Sequence, residues 1–239
     1  MRFSEPMHHA KFIKRYKRFF ADVRIDGGTL VAHVANTGSL KTCLYEGAPC
    51  LITLTDDPSR KLKASLQFLS TPTGWAGVNT SLPNQLVHEA WTTGLIPEWR
   101  EFKHARREFK ISKESRIDLV LARDKDSLTN KKPHHYIEVK NVTYAEGDTA
   151  YFPDAATERG RKHLRELMRL REEGFGAELV FVVQREGCKK FRPADAIDAK
   201  YGRLLREART AGVMIRALPC AIDPADGVTL LGESLVLDF

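Results

Sequence analysis

The chain has 239 residues, enough for one large domain or two modest ones, and its 42% hydrophobic content can supply a core. No apolar run approaches the roughly 18 residues a transmembrane helix needs, and the opening MRFSEPMHHAKF carries no apolar stretch after its charges. The four cysteines fall into no C-x-x-C pair or zinc spacing, so membrane-spanning, secreted and zinc-binding classes are set aside and a cytoplasmic protein is expected.

The formal charge of +7 suits a polyanionic partner, and its placement says more than its size. Residues 1–25 hold seven Lys and Arg against two acids, and residues 100–116 hold seven against three. Clustering of this kind is the electrostatic footprint of nucleic-acid binders.

Residues 11–25, KFIKRYKRFFADVRI, read as a strand, followed by the turn Asp26-Gly27-Gly28 and a second strand, TLVAHVA. Lys14, Arg15, Lys17 and Arg18 interleave there with Tyr16, Phe19 and Phe20. Such a mixture suits a surface that meets both phosphates and bases. The plainer reading makes the aromatics core and the basic residues a guard on an exposed edge. Asn36-Thr37-Gly38-Ser39 is either an ordinary turn or a loop that offers backbone N–H groups to a phosphate. Strand-like runs follow at 49–55, 62–69 and 74–78. Five short strands in under eighty residues predict a small closed β-barrel, with the OB fold as the leading candidate.

Leu82-Pro83-Asn84 marks a boundary, giving a barrel over residues 1–83 and a second domain over 84–239. Asn84 is the expected N-cap of a helix, NQLVHEAWTT, that Gly94 ends. Glu89 lies just off the apolar face of that helix, either as an ordinary solvated acid or as a carboxylate reaching a metal. A basic stretch at 99–113 is expected as the first strand of a sheet.

Two apolar runs come next, 117–122 and 136–142, separated by a lysine-rich loop. Their β-branched and aromatic content argues for strands. Each nevertheless carries an acid in its middle, Asp118 and Glu138, and burying a carboxylate without a partner is costly. Alternation puts Glu138 and Lys140 on one face of the second strand. In a hairpin centred on the loop, paired positions sum to about 257, and Asp118 with Glu138 sum to 256, so the two acids lie within one residue of direct opposition. A divalent cation, Mg²⁺ or Mn²⁺, would offset the crowded charge. An E-x-K triplet alone arises about once by chance in a chain of this length; set mid-strand beside a second acid-bearing strand, it resembles the core of the PD-(D/E)xK nucleases, with Asp118, Glu138 and Lys140 as the catalytic set.

Residues 143–156 read as irregular. A helix then runs from Thr157 to Gly174, presenting Arg159, Lys162 and His163 on its polar side. Arg159 and Lys162 are expected to hold a phosphodiester, His163 is a general acid–base candidate or a structural residue, and Asp154 is a cap or a further acid. The continuous apolar run 178–184 suits a strand buried on both faces. A helix at 195–211, a strand at 213–221 and a tail hairpin over 223–239 complete the chain. The whole is a mixed α+β fold, a barrel followed by an α/β domain.

Several stretches together carry a family resemblance. They are KRYKRF at 14–19, HVANTGS at 33–39, NTSLPN at 79–84, SRID at 115–118, EVKNVT at 138–143 and FPDAATERGRKHL at 152–164. With these the chain resembles the sugar fermentation stimulation protein A family of bacteria and archaea. The resemblance implies an OB-fold domain, a PD-(D/E)xK nuclease-like domain, sequence-nonspecific DNA binding and a role in regulating sugar metabolism. Two functions are therefore expected in competition. One is a metal-dependent nuclease acting on DNA or RNA, with Asp118, Glu138 and Glu89 as metal ligands and Lys14, Arg15, Tyr16, Lys17, Arg18, Asn36, Arg159 and Lys162 on the nucleic acid. The other is a non-catalytic, DNA-binding transcriptional regulator on the same scaffold.

Overall fold

The computed structural model describes all residues except 2, 4, 5, 113 and 114. Lys113, the end of the expected basic strand, thus lies outside the described residues, as do Arg2 and Glu5 of the basic amino-terminal stretch.

Six strands make the first unit: β1 (His8–Tyr16), β2 (Phe20–Ile25), β3 (Gly28–His33), β4 (Pro49–Leu54), β5 (Ala64–Thr71) and β6 (Gly74–Gly77). Antiparallel pairs join β3 to β2, β2 to β1, β1 to β4 and β4 to β5, and a short parallel pairing of β3 with β5 closes a five-stranded barrel. Phe12, Val23, Ile52, Leu66 and Leu69 fill its interior. Residues 11–25 are not one strand. They turn back at Lys17 and Arg18, both in the left-handed region (φ 47° and 62°), so β1 and β2 form a hairpin. Neither Gly nor Asn announces the turn; Arg15 Nε holds it by donating to the Arg18 carbonyl at 2.8 Å.

The second unit begins with α1 (Leu82–Thr92), two residues earlier than the expected Asn84 cap, with Pro83 in the first turn. A 3₁₀ turn (Pro97–Trp99) leads to β7 (His104–Lys110), β8 (Arg116–Ala122), α2 (Lys125–Thr129) and β9 (His135–Val142). The stretch expected to be irregular holds a hairpin, β10 (Tyr144–Glu146) with β11 (Thr149–Phe152). Then come α3 (Glu158–Glu172), β12 (Gly176–Val183), β13 (Lys190–Pro193), α4 (Asp195–Thr210), β14 (Met214–Asp223), β15 (Gly227–Leu230) and β16 (Val236–Leu237). The tail forms no hairpin of its own: β15 folds back on β14, and β16 runs parallel to β13 in a small second sheet.

The main sheet has the order β15-β14-β12-β9-β8-β7, with β9, β12 and β14 parallel. Both faces are covered, which explains the continuous apolar run of β12. Val180 and Val182 pack on the α1 side with Leu86 and Trp99, whereas Leu179 and Phe181 pack on the α3 side with Leu164, Leu167 and Tyr201. No helix among the described residues is long and apolar enough to cross a membrane.

Residues just after β12 join the two units. The Gln184 carbonyl accepts from Gly77 N at 2.8 Å, Glu186 N donates to the Trp75 carbonyl, and the Glu186 carboxylate accepts from Trp75 N at 2.7 Å. A Cβ on Gly77 would stand 2.5 Å from the Gln184 side-chain oxygen, so the approach needs glycine.

One buried charge locks the sheet. Glu178 of β12 is fully buried and accepts from Trp99 Nε1 (3.0 Å) and Arg216 Nε (2.6 Å), with His135 Nε2 at 2.8 Å. Removing the carboxylate leaves Trp99 Nε1 and His135 Nε2 without their buried acceptor and takes one of the two carboxylates of Arg216. Glu178→Ala should therefore lower unfolding free energy by about 3–5 kcal/mol, read as a fall in the urea midpoint; an unchanged midpoint would mean that the network adds nothing.

Candidate active site

The strand pair β8–β9 brings the two predicted acids together. Its register runs from Leu121↔His135 to Leu119↔Ile137, a constant sum of 256, which puts Asp118 and Glu138 next in line. There the main-chain ladder gives way to a side chain. Val139 N, on β9, donates to Asp118 Oδ2 at 2.8 Å, while Asn84 Nδ2 of α1 donates to Oδ1 at 2.9 Å. The residue expected to cap α1 thus orients the first acid. Across from Asp118 in β7, Glu108 takes a left-handed φ of 50° and lines the same cleft, backbone strain of a kind that gathers at functional sites.

Glu138 faces α3, on the side of the sheet that carries Tyr136. It is 2% exposed. Oε1 accepts from Lys140 Nζ at 2.6 Å and is in contact with His163 Nδ1, which itself lies 3.0 Å from Lys140 Nζ. Arg159 Nε reaches His163 Nε2 at 3.4 Å. Oε2 of the same carboxylate is buried with no hydrogen-bond partner among the described residues, and so is the hydroxyl of Tyr201 in α4.

The two carboxyls titrate in opposite directions. Burial and the neighbouring Glu138 charge push Asp118 up to about 6. Burial also works against the Glu138 anion, yet the Lys140 ammonium and His163 outweigh it and hold that carboxyl below its ordinary value. Two carboxyls on adjacent strands with pKa values driven apart beside a cleft make a functional-site candidate. Burial, then the Glu138 charge, push the Tyr201 hydroxyl well above its usual range.

Beside the acids opens a cleft of about 810 Å³ lined by Asp118, His163 and Glu158 together with Arg116, Arg159, Lys162 and Arg165. The four basic side chains are exposed. Arg159 and Lys162 thus stand where the sequence puts them, on the polar side of α3 next to the acids.

Glu89 does not join them. Helix α1 turns Leu82, Leu86, Val87 and Ala90 inward, and the Glu89 carboxylate, 46% exposed, pairs with the amino group of Met1 at 2.9 Å. Among the described residues no group of three His, Cys, Asp or Glu side chains is arranged to hold a metal. What remains is a two-carboxylate site with one free buried oxygen. Mg²⁺ and Mn²⁺ are commonly held by one or two carboxylates with water completing the shell, so the residues fit such an ion.

The barrel residues divide. Lys17 and Arg18 are exposed at the hairpin turn. Tyr16 stacks on Phe20 with centroids 5.7 Å apart and donates to Asp22, which also pairs with Lys14 at 3.7 Å. Arg15 is turned inward, donating to the carbonyls of Asn36 (2.6 Å) and Gly38 (2.8 Å). Asn36 is buried and bonds the Val78 carbonyl and Gly38 N. Ser39 N donates to Asp154 at 2.7 Å. A protein carboxylate therefore sits where a phosphate would meet this loop, and Asp154 serves as its anchor. Asn84, His163 and Tyr201 complete the surroundings of the acids. His163 is visible in the sequence as a lone histidine on a basic helix, but its partner is not.

Comparison with known proteins follows the same division. Residues 81–226 match the family described as the sugar fermentation stimulation protein RE domain, and residues 13–78 match the SfsA N-terminal OB domain. A sugar fermentation stimulation protein homolog of Bdellovibrio bacteriovorus is 46% identical over 246 residues, covering 99% of this chain and 98% of the relative. One from Geotalea uraniireducens is 44% identical over 229 residues, covering 95% and 96%. The solved structure of Pyrococcus furiosus SfsA in complex with Ca²⁺ superposes with a TM-score of 0.87 at 28% identity, covering 100% of this chain and 98% of that one. With both domains matched and relatives alike along nearly their full length, the chain belongs to the sugar fermentation stimulation protein family.

Proposed function

We propose that this chain is a divalent-metal-dependent nuclease that binds DNA without regard to sequence. The observation that carries the reading is the pair Asp118 and Glu138 on adjacent strands, beside Lys140, with Glu138 Oε2 buried and unpartnered. A buried charged oxygen left without a donor is expensive, and a hard cation removes that cost. The Ca²⁺ in the Pyrococcus furiosus relative supports an ion at this fold; Mg²⁺ or Mn²⁺ is the working ion we assign, held by Asp118 and Glu138.

Such an ion supplies Lewis-acid polarisation of the phosphate and a more acidic water. The rest falls to the protein. Asn84 and Val139 N fix the Asp118 carboxylate. Lys140, on the same strand face as Glu138, brings a positive charge to where negative charge develops on the phosphoryl oxygens. Arg159 and Lys162, with Arg116 and Arg165, hold the phosphodiester backbone in the cleft. On the barrel, Lys17 and Arg18 with the Tyr16–Phe20 stack extend the contact along the strand. A DNA substrate suits a cytoplasmic protein, and four free cysteines suit a reducing compartment.

The competing reading, a regulator that binds DNA and cuts nothing, draws on the absence of a three-ligand cluster among the described residues. One experiment separates them. Labelled single- and double-stranded DNA and RNA are incubated with Mn²⁺, Mg²⁺ or EDTA. Cleavage should need metal, and Glu138→Ala or Lys140→Ala should lower its rate by at least about 100-fold. Salt-sensitive binding without cleavage in any arm would leave the regulator.

The proton on Asp118 adds a second expectation. A metal must displace it, and Asp118 titrates near 6 before metal binds. Mn²⁺ affinity, measured by titration calorimetry, should be flat above neutrality and weaken about tenfold per pH unit well below 6. Affinity independent of pH down to 4.5 would remove Asp118 from the ligand set.

A further inference from the structure

His163 is the least expected residue of the site. Its neighbours along the inner face of α3 are Leu164, Leu167 and Leu170, and His163, 7% exposed, is as buried as a core residue yet meets a charged carboxylate. The helix lies close to the structure beneath it here. A Cβ on Gly160 would stand 3.0 Å from the Tyr201 ring, so glycine permits the approach. The start of α3 is also pinned. Thr157 Oγ1 accepts from Gly160 N at 3.0 Å, and Asp198 Oδ2 accepts from Thr157 N at 2.9 Å and from Arg161 Nη1 at 2.5 Å. With its start fixed, the helix has a single phase, and that phase delivers residue 163 to Glu138.

One neutral tautomer satisfies the imidazole on both sides. Nδ1–H donates to Glu138 Oε1, and Nε2 accepts from Arg159 Nε. The terminal torsion of a glutamate is broad, so the residue itself does not fix the plane of its carboxylate. The donors fix it. Lys140 and His163 both stand at Oε1, and none of the described residues stands at Oε2.

We propose that His163 is a positioning residue: by fixing Oε1 of Glu138 from one ring nitrogen and accepting Arg159 on the other, it presents Oε2 to the divalent cation and ties that carboxylate to the phosphate-binding guanidinium. The proposal rests on the metal reading above and extends it to a residue that acts on the metal through Glu138. Partners of this kind hold metal ligands in one orientation, and their loss typically costs 10- to 100-fold in metal affinity.

The test uses the full chain and Ca²⁺ as a probe that binds oxygen ligands and performs no chemistry. Binding is measured by calorimetry for wild type, His163→Asn, His163→Gln, His163→Ala and Glu138→Gln, with thermal melts in EDTA. The asparagine amide nitrogen overlays Nδ1, whereas that of glutamine overlays Nε2. His163→Asn should stay within about threefold of wild type and His163→Gln should weaken by about 10- to 100-fold. Added imidazole should restore His163→Ala, which keeps the test open if His163→Gln does not fold. Glu138→Gln should abolish binding.

Loss of Ca²⁺ in Glu138→Gln together with wild-type affinity in every His163 variant would overturn the positioning role and leave the metal site standing. Equal losses in the Asn and Gln variants, unrelieved by imidazole in the Ala variant, would overturn it in favour of plain packing. Wild-type affinity in Glu138→Gln would overturn the metal reading and the proposal with it.

Discussion

A carboxylate in the middle of a covered β-sheet is the constraint around which this chain is arranged. Glu138 sits on a strand with β8 and β12 on its flanks and helices over both faces, where an anion has no water to rely on. Every nearby element supplies part of the compensation. Lys140 comes from the same strand, His163 from α3, and the opposite acid is drawn aside by Asn84 of α1 and by a main-chain N–H that would otherwise pair across the sheet. The compensation is asymmetric. One oxygen is crowded with donors and the other has none, and that asymmetry distinguishes the group from Glu178 on the next strand.

Glu178 makes the contrast useful. It is as buried as Glu138, but Trp99, His135 and Arg216 surround both of its oxygens. Two buried glutamates in paired strands thus have different fates. One is neutralised completely and serves the fold, and the other is left short by one contact. Burial is the same for both carboxylates; the count of donors at each oxygen is what differs.

The sequence makes the acids legible because a charged residue inside a short β-branched run is a local anomaly that needs no tertiary knowledge to notice. The spacing across the loop even fixes their opposition to within a residue. The barrel and the order of the α/β elements follow from strand counting, and the family from the motifs. What stays hidden depends on contacts between distant residues. The β1–β2 turn at Lys17 and Arg18 is made possible by Arg15 bonding to carbonyls on its own hairpin and on the 36–39 loop. Asn84 reads as a helix cap because caps are what asparagines near a helix start usually are; its real partner lies 34 positions away. Glu89 sits just off the apolar face of α1, as its spacing predicts, but that position meets the Met1 amino group and not the acids. The β10–β11 hairpin, by contrast, had a readable signal in the Gly147 turn between Tyr144 and Tyr151, whose rings face each other across the pair.

The join between the two units bears on how the chain is made. The free edge of β6 is capped by residues 184–186, which leave the ribosome more than a hundred residues after the barrel strands they cover. Until then the nascent barrel shows an unpaired strand edge, the feature through which sheets recruit one another. The outer edge of β6 is thus covered by the turn after β12, a strand that itself needs β9 beside it. The five-stranded barrel closes through β3 and β5 before that turn is made, while β6 waits for the acid-bearing sheet. A chain halted between the two carries a closed barrel with one open strand edge.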